Sequence, residues 1–177
     1  MPGKVRRIVT AVNDAGRSYI LSDTELPPGE VAANEPFRVG LWKTESAPAS
    51  NVGTYDPVPD GQIGTIAPPH RGGTIIRITD MLPETTVRRD PAELRSRGAR
   101  TTEDRSAKHP GFHATNTVDY AVCLEGEIWA IMDEGETLMH AGDVLIQRGT
   151  FHAWSNRSDQ VCRMLFVLID AEPIPGH

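Results

Sequence analysis

The 177-residue sequence predicts an all-β sandwich or barrel. Short runs of strand-forming residues recur at close, regular spacing from residue 111 onward, and turn signals separate them. Sixteen glycines and fourteen prolines make turns frequent and long helices scarce. The stretch 83–110 lacks strand character and is charged rather than helical in pattern.

Taken in order, "RRIVTAVN", "DAGR" and "SYILSD" read as a hairpin with Asp14 and Gly16 at its turn. "FRVGLWKTES" reads as another strand. Residues 46–72, rich in Pro, Gly, Ser and Asn, read as a long surface loop or arm, and "GGTIIRITDML" restores the strand signal. Within 83–110, Asp90 caps at most a short turn with Pro91 at its first position. That stretch is either a solvated connection or a flap over a pocket mouth. Strands are then expected at 115–123, 127–132, 136–139, 143–147, 151–155 and 161–169. The expected organisation is an N-terminal strand-rich arm over 1–69 and a barrel over 70–177, together one structural domain.

A formal charge of −6 without a basic tract argues against nucleic acid or an anionic membrane as a partner. No apolar run is long enough to span a bilayer and the first residues lack a signal-peptide core, so the expectation is a cytoplasmic protein. Cys123 and Cys162 sit inside apolar runs, with no CxxC spacing, and read as buried structural thiols. No phosphate-binding glycine loop or Gly-x-Ser-x-Gly elbow occurs, and Ser155 is not a persuasive nucleophile.

Chemistry-bearing residues gather in "HPGFHATNTVDYAVCLEG" and "GDVLIQRGTFHAWSN". Side chains two apart on a strand share a face, which puts His113, Thr115, Thr117, Asp119, Ala121 and Cys123 together. Val118, Tyr120, Val122 and Leu124 fall on the opposite, mainly apolar face; Tyr120 and Trp129 read as core or wall residues. Polar groups directed into a barrel need partners, which a metal, a substrate or ordered water can supply. Trp154 shares parity with His152. Arg148 lies where a cation can meet a carboxylate substrate, although a surface salt bridge is its commoner fate. His109, four residues before His113 in a Pro-Gly loop, can swing toward the mouth, whereas His140 sits in an exposed turn and His70 and His177 lie in loop and tail.

These segments resemble the two sequence signatures of the cupin superfamily, whose fold is a double-stranded β-helix, or jelly-roll barrel. In the first signature His113 takes the first histidine place, Thr115 replaces the second, Asp119 replaces the glutamate, and Gly126 follows. In the second, Gly142 opens the motif, Gln147 takes the proline place one residue early, and Gly149, His152 and Asn156 fit. Fifteen residues separate Gly126 from Gly142, which suits the usual inter-motif loop. The resemblance covers roughly 70–170, and the N-terminal residues match only as the extra strands that small cupins often trade across a dimer.

The resemblance implies one divalent metal, Fe, Mn, Ni or Zn, held by His113, Asp119 and His152, a two-histidine, one-carboxylate set. Thr115, Thr117, Trp154, Arg148 and His109 are then the candidate substrate-pocket residues. The expected function is a metal-binding cupin acting on a small oxygenated or carboxylated molecule, by dioxygenase or by decarboxylase, isomerase or lyase chemistry. The alternatives are a metal-free ligand-binding or sensor module and a structural barrel with a vestigial site. A homodimer is the expected assembly, with the apolar residues of 5–46 packed across a two-fold axis.

Overall fold

The computed structural model describes residues 4–26, 37–61, 68–87 and 89–175; His177 lies outside them. Ten strands dominate the described residues. β1 (Val5–Val12) and β2 (Ser18–Leu26) form the expected hairpin as a separate two-stranded sheet. Its turn is organised by Asn13, whose side-chain oxygen accepts from the backbone N–H groups of Ala15 and Arg17.

The barrel is built from two sheets. β3 (Arg38–Thr44), β4 (Thr74–Met81), β10 (Cys162–Asp170), β5 (Thr117–Glu125) and β8 (Val144–Arg148) form the larger one in that spatial order. β7 (Glu136–His140), β6 (Glu127–Met132) and β9 (His152–Ser155) form the smaller. All neighbouring strands are antiparallel. The division at 69/70 does not separate two sheets, because β3 of the N-terminal stretch pairs directly with β4. The β1–β2 hairpin is a separate sheet, tied to the rest by Leu26 in the second core cluster and by Arg7, which bonds Asp56 and the Leu41 and Val58 carbonyls.

Alternation decides what enters the barrel. On β5 the residues Thr117, Asp119, Ala121 and Cys123 are buried, while Tyr120 and Leu124 are exposed. On β10 the inner set is Cys162, Met164, Phe166 and Leu168. These meet Ile128, Ala130, Met139 and Trp154 of the smaller sheet in one apolar core. Polar and apolar positions on the inner face of β5 thus divide the interior: the Cys123 end is a packed core, and the Asp119 end is left for a cavity. Tyr120, expected in the core or wall, faces outward instead. Leu26, Phe37, Val39 and Ile78 form a second cluster, with Val5 and Leu165 packed against it.

Cys123 and Cys162 are both buried with their Sγ atoms 3.7 Å apart. Burial pushes both thiols up from their ordinary range, so they remain neutral and inert.

The charged stretch 83–110 folds into more than a connection. α1 (Pro91–Ser96) is capped by the Asp90 carboxylate, which accepts from the Ala92 N–H, and α2 (Glu103–Lys108) follows. Arg105 ties α2 to Asp133 and lies over the Phe151 ring at 4.0 Å. Beneath it Phe112, Ala114, Phe151 and Ala153 make a small buried cluster.

Candidate functional site

His113 and His152 are far apart in sequence and directly opposed in the fold. They form an isolated antiparallel bridge, each backbone N–H donating to the other's carbonyl at 2.9 and 3.0 Å. Their ring centroids stand 4.5 Å apart. The Nδ1 atom of His113 lies 2.8 Å from the Gly111 carbonyl oxygen, and that of His152 lies 3.0 Å from the Thr150 carbonyl oxygen. A carbonyl only accepts, so each Nδ1 carries the proton and each Nε2 keeps its lone pair. Backbone anchoring of this kind fixes the tautomer of metal-binding imidazoles.

Burial keeps both rings neutral. His152 is pushed down to about 3 by burial and then by the neighbouring His113, against the Thr150 hydrogen bond. His113 is lowered by burial, with Arg77 and Arg89 adding to it and the Gly111 contact opposing. Asp119 is raised, again by burial, with the Thr117 hydroxyl and Arg77 acting the other way. Its Oδ1 atom is buried without a hydrogen-bond partner among the described residues.

His113, Asp119 and His152 line one cavity of about 110 Å³. Thr115 and Trp154 line it too, so two of the expected pocket residues are in place. The Trp154 ring meets His152 edge-on at 5.8 Å and Phe166 at 5.6 Å, forming the apolar wall. Thr117 stands behind that lining: it is buried and its hydroxyl bonds that of Thr115 at 2.7 Å.

Two expected pocket residues are elsewhere. Arg148 is exposed on β8, beside a shallow groove with Ile146 and Ile174, because strand parity turns it outward from its neighbour Gln147. His109 is buried in a latch: its Nε2 lies 2.6 Å from Glu84 Oε1, and its Nδ1 accepts from the Gly111 N–H. Glu84 Oε2 in turn accepts from the Ser155 hydroxyl. Ser155 therefore bonds a carboxylate and not an imidazole, so the three residues pin the loop to β9 instead of activating a nucleophile.

Four residues that sequence reasoning missed also line the cavity: Arg38, Arg77, Arg89 and Arg97. In sequence each resembles an ordinary solvated charge. Arg89 and Arg97, with Leu94 and Ala99, come from the 83–110 segment, which closes one side of the cavity. The segment is therefore a wall of the cavity as well as a connection.

The donor set for a metal is partial. Two imidazole Nε2 atoms fit, but among the described residues no three His, Cys, Asp or Glu side chains gather closely enough to hold an ion. Asp119 shares the cavity without completing the set.

Two motif residues, Asn156 of the second signature and Gly126 of the first, serve the frame. Asn156 is fully buried, donating to the Met81 and Gln160 carbonyls and accepting from Ser158. Gly126 holds a φ of +77°, and a Cβ there would stand 3.0 Å from the Val161 carbonyl oxygen.

Comparison with known proteins agrees with this arrangement. Residues 103–168 match the cupin domain family model. A stretch of 64 residues is 48% identical to phomopsin biosynthesis cluster protein C' of Diaporthe leptostromiformis, covering 35% of this chain and 34% of that one. Oryzines biosynthesis cluster protein J of Aspergillus oryzae is 46% identical over 72 residues, 37% of this chain and 40% of its own. The cupin-domain-containing oxidoreductase virC of Hypocrea virens is 39% identical over 66 residues, 35% and 34% of the two chains. The matches thus span 34–40% of the length of these relatives. No helix among the described residues is long and apolar enough to cross a membrane. Residues 103–168, with the histidine pair and the turn glycines at their motif places, match the cupin domain family.

Proposed function

We propose that the cavity is the active site of a metal-dependent cupin oxidoreductase acting on a small molecule. The observation that carries this reading is the pair of opposed imidazoles, His152 buried and His113 half-buried, both anchored through Nδ1 and both lining one cavity. With each Nδ1 engaged by a backbone carbonyl, the free Nε2 lone pairs are the donors that a metal in the cavity would use. The resemblance of the domain to cupin-domain-containing oxidoreductases of Hypocrea virens and Aspergillus ruber supports the reaction class.

In this reading His113 and His152 hold the ion, and Asp119 with its unpartnered Oδ1 is the nearby carboxylate that offsets its charge. A bound first-row metal supplies Lewis acidity and, for iron, redox chemistry at open positions. The chain's own contributions are different. Trp154 and Phe166 exclude water from one side, the 83–110 segment closes another, and Thr115 and Thr117 link their hydroxyls beside Asp119.

Reconstitution of the apo chain with Fe(II), Mn, Ni or Zn, followed by elemental analysis, tests the reading. Uptake of up to one ion per chain is expected, abolished in His113→Ala and in His152→Ala. Asp119→Asn is expected to weaken uptake by at least about tenfold, since it removes the only carboxylate lining the cavity among the described residues. A wild-type chain that takes up none of these ions overturns the metal reading. The rival, a metal-free binding pocket, is favoured by the failure of Asp119 to join the histidines within coordinating distance.

A further inference from the structure

The cavity has a charge that the chain as a whole does not. The sequence carries a net −6, yet four arginines line the cavity against the single carboxylate of Asp119, and both histidines there are neutral. Arg97 is paired with Glu93. Among the described residues, Arg38, Arg77 and Arg89 have no carboxylate at ion-pair distance. Nε and Nη1 of Arg77 and Nε of Arg89 are shut off from solvent with no hydrogen-bond partner. Buried guanidinium nitrogens left unpaired are expensive, and a folded chain tolerates them where a ligand completes them. Burial lowers Arg38 and Arg77 to about 10, with neighbouring guanidiniums adding to the effect and Glu93 and Asp119 acting against it.

These three arginines come from separate parts of the chain: Arg38 from β3, Arg77 from β4 and Arg89 from the segment before α1. Arg38 and Thr79 are opposite one another across β3 and β4, so Arg38 and Arg77 share the inner face of that sheet. Arg77 also lies over the Phe166 ring, 5.7 Å from its centroid, and Arg77 and Arg89 both act electrostatically on His113. The cationic cluster therefore adjoins both the histidine pair and the apolar wall.

We infer that this cavity binds a small organic carboxylate, its anionic end held by Arg38, Arg77 and Arg89 and its carbon body against Trp154, Phe166 and Leu168. Guanidinium groups suit planar carboxylates because they offer several fixed donors. The apolar wall selects an organic acid over an inorganic anion such as phosphate, which has no carbon surface to bury. A cavity of about 110 Å³ is well below the size of drug-sized pockets, roughly 300 Å³ and above, so the acid is short. This assignment rests on the reading of the cavity as the working site but not on the metal.

The test is a heteronuclear NMR titration of the metal-stripped full chain, followed at the Trp154 indole N–H. The probes are butyrate, succinate, the uncharged butyramide and inorganic phosphate. Butyrate or succinate should shift the signal saturably, and butyramide should bind at least about tenfold more weakly. Arg77→Gln should weaken the carboxylate by a similar factor, Arg77→Lys by less, and Arg148→Gln on the outer face by nothing. If Arg77→Gln fails to fold, Arg89→Gln, outside the strands, carries the same comparison. Equal binding of butyrate and butyramide, no response to either acid, or phosphate binding more tightly than both acids would overturn the assignment. A chain that takes up metal yet ignores the acids loses this inference and keeps the metal reading. One that binds butyrate and takes up no metal does the reverse.

Discussion

His152 shows how a single buried side chain ties site to stability. Its ordinary value of 6.5 is lowered to about 3 in the fold, first by burial. Below about pH 6.5 the unfolded chain takes up a proton that the native chain refuses, so stability falls as the pH drops toward 3. The slope for one such group is about 1.4 kcal/mol per pH unit, and His113 acts in the same direction. Asp119 has the opposite sign, because its raised value favours the protonated native state as the pH falls. With two imidazoles against one carboxyl, urea midpoints of the apo chain should decline between about pH 6.5 and about pH 5, and His152→Gln should flatten the decline. Gly126 is the other residue with a sharp local requirement. Gly126→Ala places a side chain in a left-handed conformation against the Val161 carbonyl and should cost about 1–3 kcal/mol, read as a lower urea midpoint.

Elements carry the closure of the cavity. The 83–110 segment has few apolar anchors; no residue of α1 or α2 is buried. It is held by the Glu84 latch to His109 and Ser155, by Arg105 on Asp133, and by the Arg100–Ala114 bridge. Removing one carboxylate that serves two partners should loosen the whole cover. Glu84→Ala is expected to lower stability by about 1–2 kcal/mol and to speed amide exchange across 89–99, with β5 and β10 unaffected. Hydrogen-exchange mass spectrometry separates the two regions. Exchange that rises equally everywhere would mean that the latch supports the barrel and not the cover. The expected strands on 127–132, 136–139 and 143–147 lie within a residue of β6, β7 and β8. The strand expected at 115–123 starts later, at Thr117, because Arg100 and His152 engage Ala114 and His113 as single bridges instead of a ladder.

The whole molecule leaves two apolar faces open. On the hairpin, Ile8, Val12 and Ile20 are 50–66% exposed, beside the Lys4–Glu25 and Arg6–Asp23 ion pairs. On the barrel exterior Tyr120, Val144 and Ile146 are 42–59% exposed, with Tyr120 opposite Ile146 across β5 and β8. Exposed apolar patches of this kind mark contact surfaces. We propose that two copies exchange these faces about a two-fold axis, each hairpin covering the other's β5–β8 surface. Both faces belong to one chain, so a second copy supplies exactly one cover for each. Sedimentation should show a dimer for the wild type and a monomer for Ile146→Lys and for Ile20→Asp. A monomeric wild type at micromolar concentration would rule the exchange out.

Periodicity and turn chemistry in the sequence were enough to place the barrel strands, the hairpin and a turn at Asp90–Pro91, which the fold extends into a six-residue helix. Those readings depend only on neighbours a few residues apart, where alternation and backbone preference act directly. The resemblance to the cupin signatures added the motif glycines and singled out His113, Thr115, Asp119 and His152, which line one cavity with Trp154. Tertiary structure alone decided the rest. It set His113 opposite His152, held Asp119 short of them, turned Arg148 outward and drew His109 into the Glu84 latch. It also brought together the guanidiniums of residues 38, 77 and 89, which lie tens of positions apart in sequence. An arginine's sequence context does not reveal whether its charge is solvated or buried. That is settled by which surfaces close over it, and those surfaces come from distant parts of the chain.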